Sequence, residues 1–275
     1  MTNSDVIVLR DIEQLSEMRE IEQIQRTIWG VNDTDVLPAL ALRPLKEVGA
    51  ILIGAFDKDR LIGFVFGFPG RANGENIIHS DMLGVLREYR SLNLGFKLKL
   101  AQRERALSMG IETITWTFDP LRAVNASLNF SRLGVTASRY EIDYYGETSS
   151  VLHRLGTDRL WVTWSLNSER VVQRIATERG GHRQRSLNSS ASRLVSIGDQ
   201  RQPIVKAELT AKELLIEIPT KSDELFNERP DLGARWRSAT REAFTSALGS
   251  GYVVEDFVID GDRKTGIYVL RHDVR

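Results

Sequence analysis

The chain has 275 residues with 41% hydrophobic content, enough to fill a large core or two ordinary ones. Its 37 Lys+Arg balance 37 Asp+Glu, so no global field draws it to nucleic acid or an anionic membrane, and neither partner is expected. With no cysteine there can be no disulfide, thiolate nucleophile or Cys-ligated metal, and the four histidines, His79, His153, His182 and His272, have no metal-ligand spacing. No metal is therefore expected. The opening Met1–Asp5 lacks a basic stretch followed by an apolar one, and no apolar run reaches membrane-spanning length, so a cytoplasmic protein is expected.

Val6–Leu9 reads as a strand, and the helical spacing of Ile12, Leu15, Ile21, Ile24 and Ile28 predicts a helix to Trp29. A loop containing Pro38 and Pro44 follows. Ala50–Phe56 and Leu61–Phe68 form a hairpin around the turn Asp57-Lys58-Asp59-Arg60. Asn76–Val85 is a strand that runs into a turn and a helix, Phe96–Met109, capped by Gly110. Ile111–Phe118 alternates as a strand, a short helix around Asn125–Leu133 ends at Gly134, and two further strands finish at Leu160–Trp164. From about Glu178 to Pro203 the composition turns to Arg, Gly, Ser and Asn, which reads as a linker or long surface loop. Beyond it come a strand over Leu214–Pro219, a helix over Leu232–Leu248, and a strand pair, Tyr252–Ile259 with Gly266–Leu270.

This organisation predicts a mixed α/β fold in three stretches: a domain over 1–165, a helix and linker over 166–202, and a smaller α/β domain over 203–275. The helix, glycine and strand of 106–119 align without a gap on 247–260, which makes a degenerate second copy of the first unit an open alternative.

Chemistry concentrates between Met82 and Phe96. A strand ends, the chain turns, and a helix begins, so backbone N–H groups and the positive end of a helix dipole converge where a diphosphate could sit, with Arg90 at the entrance. The segment Arg90-Ser91-Leu92-Asn93-Leu94-Gly95 resembles the signature of the GNAT superfamily of acyltransferases, Arg/Gln-x-x-Gly-x-Gly/Ala. Asn93 stands in place of the first glycine, and asparagine is among the few residues that tolerate a left-handed backbone. Asn125–Gly134 resembles the family's later helix, and Thr115–Leu121 resembles a branch of predicted acetyltransferases with a long C-terminal extension.

The resemblance implies a GNAT-like central mixed sheet flanked by helices. It also implies direct transfer of an acetyl or other short acyl group, succinyl among them, from an acyl-CoA to the amine of a small molecule such as an amino acid. It assigns Leu83, Gly84 and Val85 to the thioester and pantetheine, Arg90, Ser91, Leu92, Asn93, Leu94, Gly95 and Phe96 to the diphosphate, and Asn125 to the CoA arm. The family's tyrosine acid falls at Phe130, so that Tyr140, Tyr144, Tyr145 or water protonates the leaving thiolate, or the thiolate leaves unprotonated. An ammonium must lose a proton before it attacks, and period-two alternation sets His79, Asp81, Leu83 and Val85 on one strand face, which makes His79 and Asp81 the candidate catalytic residues. Asp119 could orient the amine or open the next helix. The basic cluster Arg179, His182, Arg183 and Arg185 could reach a phosphate. The second half is expected to cover the acceptor side or mediate assembly such as a homodimer. A non-catalytic acyl-CoA-binding or sensing module is the alternative reading.

Overall fold

The computed structural model describes residues 7–180, 187–188, 190–206, 209–262 and 264–272. The chain forms two compact units, the first built from 1–116 with 147–154 and the second from 117–146 with 155–275. Along the chain the first change of unit falls after Trp116.

In the first unit β1 (Val8–Asp11) pairs antiparallel with β2 (Ile51–Asp57), and β2 with β3 (Arg60–Ala72). β3 pairs antiparallel with β4 (Glu75–Val85), and β4 pairs parallel with β5 (Thr113–Phe118). Asn73 and Gly74, with φ of 50° and 84°, make the tight turn between β3 and β4, where left-handed backbone suits asparagine and glycine. Helix α1 (Leu15–Trp29) packs Ile28 toward Gly84 and the Phe64 ring on one face of the sheet. Helix α3 (Leu94–Ser108) places Gln102 against Gly67 on the other.

The stretch holding Pro38 and Pro44 is not a loop. It forms α2 (Ala39–Glu47), with Pro38 in extended backbone at the N-cap and the Glu22 carboxylate accepting the Ala39 amide at 2.6 Å. Pro44 lies inside this helix and withholds one hydrogen bond from the carbonyl of Leu40. Leu40 is largely exposed, so water can replace the missing donor.

In the second unit the strands follow the order β7-β6-β11-β12-β10-β8-β9. These are β6 (Thr136–Glu141), β7 (Arg159–Ser165), β8 (Ser192–Ile197), β9 (Pro203–Val205), β10 (Glu213–Pro219), β11 (Tyr252–Asp260) and β12 (Thr265–His272). The helices are α4 (Ala123–Ala126), which continues as π-type turns over Ser127–Leu133, α5 (Glu169–Gly180), α6 (Ser222–Glu228) and α7 (Pro230–Gly249). Strand β8 corrects the linker reading of 178–203. Leu194 and Val195 are buried, β8 pairs parallel with β10, and its Arg193 meets the fully buried Glu217 at 3.0 Å. The serine- and asparagine-rich flanks hid a short strand with only two core residues.

Candidate active site

Strand β4 carries most of the candidate residues, and its course differs from simple alternation. Phe66 lies opposite Met82, whereas Phe68 lies opposite His79. Two residues of β3 therefore span three of β4, and Ser80 and Asp81 both face Gly67 across a β-bulge. A Cβ on Gly67 would come within 2.9 Å of the His79 carbonyl and 2.8 Å of Gln102 Nε2, so this close approach admits only glycine without a shift. Cross-strand partners share a face, which sets His79 with Met82 and Gly84 beside Phe68, Phe66 and Phe64. Leu83 and Val85 face the other way with Val65 and Gly63. The single face expected for His79, Asp81, Leu83 and Val85 is thus broken at the bulge.

The same ladder determines where the backbone points. The Leu86 amide donates to the Ile62 carbonyl at 2.9 Å, and in an antiparallel ladder alternate residues bond the same neighbour. Leu86, Gly84 and Met82 therefore bond β3, while Leu83 and Val85 direct their N–H and C=O groups to the opposite edge. On that edge, among the described residues, β4 pairs with β5 only at Ile78–Ile114 and His79–Thr115. From Asp81 onward the edge is open. The Val85 carbonyl accepts from Arg90 Nε at 3.2 Å. Of the three residues assigned to the thioester, Gly84 has its amide turned toward β3, and Leu83 and Val85 present theirs.

After Leu86 a 3₁₀ turn, Arg87–Leu92, leads to Asn93, whose backbone is left-handed at φ 59° and ψ 25°. α3 then begins at Leu94, with Leu94 and Phe96 buried and Arg90, Ser91, Leu92 and Asn93 exposed. The signature loop is built as the sequence implies, with asparagine in the conformation that the family's glycine would favour. The Leu94, Gly95 and Phe96 amides occupy the first helical turn, where the helix dipole is positive.

His79 is half-buried. Its Nδ1 lies 3.0 Å from Thr115 Oγ1, and its ring packs against Phe68 with centroids 5.5 Å apart. Burial lowers its pKa below the ordinary histidine value, and the charge of Lys99 adds to that. Asp81 is exposed, yet desolvation by surrounding protein raises its carboxyl above the usual range.

Lys99 of α3 was not a candidate from sequence. It is 2% exposed, and its Nζ donates to Ser80 Oγ at 2.8 Å and Gln102 Oε1 at 3.0 Å while lying 3.6 Å from the centre of the Trp116 ring. Among the described residues Gln102 Nε2 has no hydrogen-bond partner, although it is buried.

The remaining candidates lie in the second unit. Asn125 is exposed on α4. Phe130 is fully buried between Phe118 and Tyr268. Tyr140 donates its hydroxyl to Asp158 at 2.7 Å; burial and that carboxylate raise its pKa far above the ordinary phenol value. Tyr144 and Tyr145 are exposed, with Tyr145 Oη 3.5 Å from Thr117 Oγ1. Asp119 is buried, accepting from the Leu121 amide at 3.0 Å and from Arg237 at 2.8 Å. Burial alone would raise its carboxyl, but Arg237 outweighs burial and lowers it. An amine would have to displace that arginine, so Asp119 is a core ion-pair member. His182, Arg183 and Arg185 lie outside the described residues, as does the side chain of Arg179.

A family model for the acetyltransferase (GNAT) family matches residues 16–134. This stretch is a GNAT-family domain, and the class it defines is the acyl-CoA-dependent N-acyltransferases. Solved structures of similar fold include NAA60 of Arabidopsis thaliana in complex with a bisubstrate analogue, at 16% identity and TM-score 0.47, covering 58% of this chain and 97% of that one. The ribosomal-protein-S18-alanine N-acetyltransferase of Escherichia coli aligns at 14% identity and TM-score 0.44, covering 60% and 97%. YhbS of Escherichia coli in complex with CoA aligns at 17% and 0.43, covering 62% and 87%. No curated protein sequence matches the chain. Among the described residues no helix is long and apolar enough to cross a membrane.

Proposed function

We propose that the chain transfers an acetyl or other short acyl group from acyl-CoA to the amine of a small molecule such as an amino acid. The observation that carries this reading is the open edge of β4, where Leu83 and Val85 turn their amides away from β3 just before the turn into α3. An edge of free N–H groups suits the amide-bearing pantetheine arm and the carbonyl oxygen of a thioester, on which negative charge grows during attack. The N-terminal amides of α3, with Arg90 and Ser91 before them, suit the diphosphate. Asn93 keeps the loop tight without a glycine.

In this reading His79 takes one proton from the substrate ammonium, the amine nitrogen attacks the carbonyl carbon, and the C–S bond breaks as the C–N bond forms. The nitrogen's second proton ends on the departing sulfur. A depressed histidine pKa suits the acceptor role, because the ring is then neutral at pH 7. Asp81 holds the ammonium. Since Tyr140 is committed to Asp158 and Phe130 has no proton, water supplies the acid on the sulfur side.

Thiol release from acetyl-CoA and succinyl-CoA with a mixed amine pool tests the reading. His79→Ala is expected to lower kcat/KM for the amine by 10²-fold or more with acyl-CoA affinity intact, and Asp81→Ala chiefly to raise the amine KM. Wild-type kcat/KM with an unchanged acidic limb in His79→Ala would remove histidine from the mechanism. The buried Phe130 at the tyrosine position favours the second reading, an acyl-CoA-binding module, which predicts binding with no thiol release for any amine.

A further inference from the structure

The mechanism above leaves one buried amine without a role. Lys99 is 2% exposed, and an ammonium has three hydrogens to place. Here one points to Ser80 Oγ, one to Gln102 Oε1, and the remaining side of the cation lies over the face of Trp116. Among the described residues no carboxylate lies against it. Three acceptors matching three donors fit the charged form; a neutral amine would turn a lone pair to one of them. Such a shell of hydroxyl, amide and π-face solvates a cation without cancelling its field.

That field falls on His79. Ser80 follows His79 along β4, Trp116 follows Thr115 along β5, and His79 and Thr115 are paired in register. Successive residues of a strand point to opposite faces. Lys99 therefore sits on the α3 face one register position from His79, which lies on the α1 face, with only the sheet between them. The imidazole also touches Phe68 of β3 and Thr115 of β5, both uncharged, and Asp81 stands two residues further along β4.

We propose that Lys99 is a positioning residue for the acyl transfer: its ammonium anchors the β4 bulge through Ser80 and, across the sheet, keeps the His79 imidazole neutral and ready to accept a proton. This rests on the assignment of His79 as the base. A positive charge in a medium of low dielectric disfavours a second one nearby, so imidazolium forms only at lower pH. The fall in the His79 pKa, caused first by burial and then by Lys99, agrees with the geometry. Burial also lowers the Lys99 pKa well below that of a free lysine, against which the three acceptors work.

The test is an NMR titration of the full chain, following the His79 ring, assigned with His79→Gln, beside the pH profile of kcat/KM. Wild-type His79 is expected to titrate below about 6.5. In Lys99→Met its midpoint should rise by about one pH unit, a tenfold gain in proton affinity, and the acidic limb of kcat/KM should move with it. Lys99→Arg should keep the wild-type midpoint. An unmoved midpoint in folded Lys99→Met overturns the proposal. Should that variant not fold, the wild-type Lys99 ¹⁵Nζ signal decides, because an amine already neutral where His79 titrates is equally fatal. A midpoint that moves while the acidic limb stays fixed ends the catalytic role and locates the failure in the assignment of the base.

Discussion

Lys99 in the first unit and Arg237 in the second are both buried cations on helices, and they are solvated in opposite ways. Arg237 meets the carboxylate of Asp119 at 2.8 Å and donates to the Leu155 carbonyl at 3.0 Å. Lys99 has a hydroxyl, an amide and an indole face. A carboxylate cancels charge and ties two elements together; neutral acceptors leave the charge in force for whatever lies nearby. The first arrangement suits a core, and the second suits a site that needs a field.

Removing each cation should separate these roles. Arg237→Met leaves Asp119 buried and uncompensated, for which a loss of about 3–5 kcal/mol is expected, read as a drop in the urea midpoint. Lys99→Met strands no opposite charge and nearly conserves volume, so its loss should be less than half as large. Equal losses would break the comparison.

The two sites also differ in how pH acts on them. The depressed Lys99 pKa means that, as pH falls through about 10.4, the unfolded chain takes up a proton before the folded one does. Wild-type stability should therefore rise with pH from the folded-state value up to about 10.4, at a slope of up to about 1.4 kcal/mol per unit, and Lys99→Met should lose that rise. The lowered Asp119 carboxyl acts at the acid end. Its contribution is present above about 3.9 and is lost as pH falls through the folded value. Denaturant midpoints from pH 3 to 10 check both.

Gly67→Ala presses on Gln102, one of the neutral acceptors of Lys99, and on the His79 carbonyl. Overpacking of this kind costs about 1–3 kcal/mol, and the His79 titration should shift with it. Asn93 provides a baseline that contains no buried charge. Asn93→Val forces a β-branched residue into left-handed backbone at about 1–2 kcal/mol, visible as a lower Tm and weaker acyl-CoA binding, whereas Asn93→Gly should keep or tighten binding.

Much of this was legible where residue type alone decides backbone. Gly110 and Gly134 take the left-handed conformations that end helices, and Asn93 shapes the signature loop. The features that escaped depend on partners remote in sequence. Lys99 stands in Phe96-Lys97-Leu98-Lys99-Leu100, where a lysine reads as solvent-facing, and only Ser80 and Trp116 make it a core residue. The bulge at Ser80–Asp81 leaves no mark in an alternation that continues plausibly on either side of it. Pro44 argued against a helix that Glu22 and Pro38 start well enough to survive it. Asp119 was a credible substrate ligand until Arg237, 118 residues later, claimed it.

The bulge also governs how this strand can vary by descent. Side-chain substitutions at Leu83 or Val85 leave their amides where they are, and deleting one of Ser80 or Asp81 would remove the extra residue and restore strict alternation with His79 still opposite Phe68 and Met82 still opposite Phe66. Met82 and Gly84 would go on bonding β3, and Leu83 and Val85 would go on turning their amides outward. The bulge is thus a place where the strand can lose one residue without a shift of frame. Lineages that keep the open edge in use should accordingly include β4 strands one residue shorter at Ser80–Asp81, with the residues of Leu83 and Val85 on the same edge.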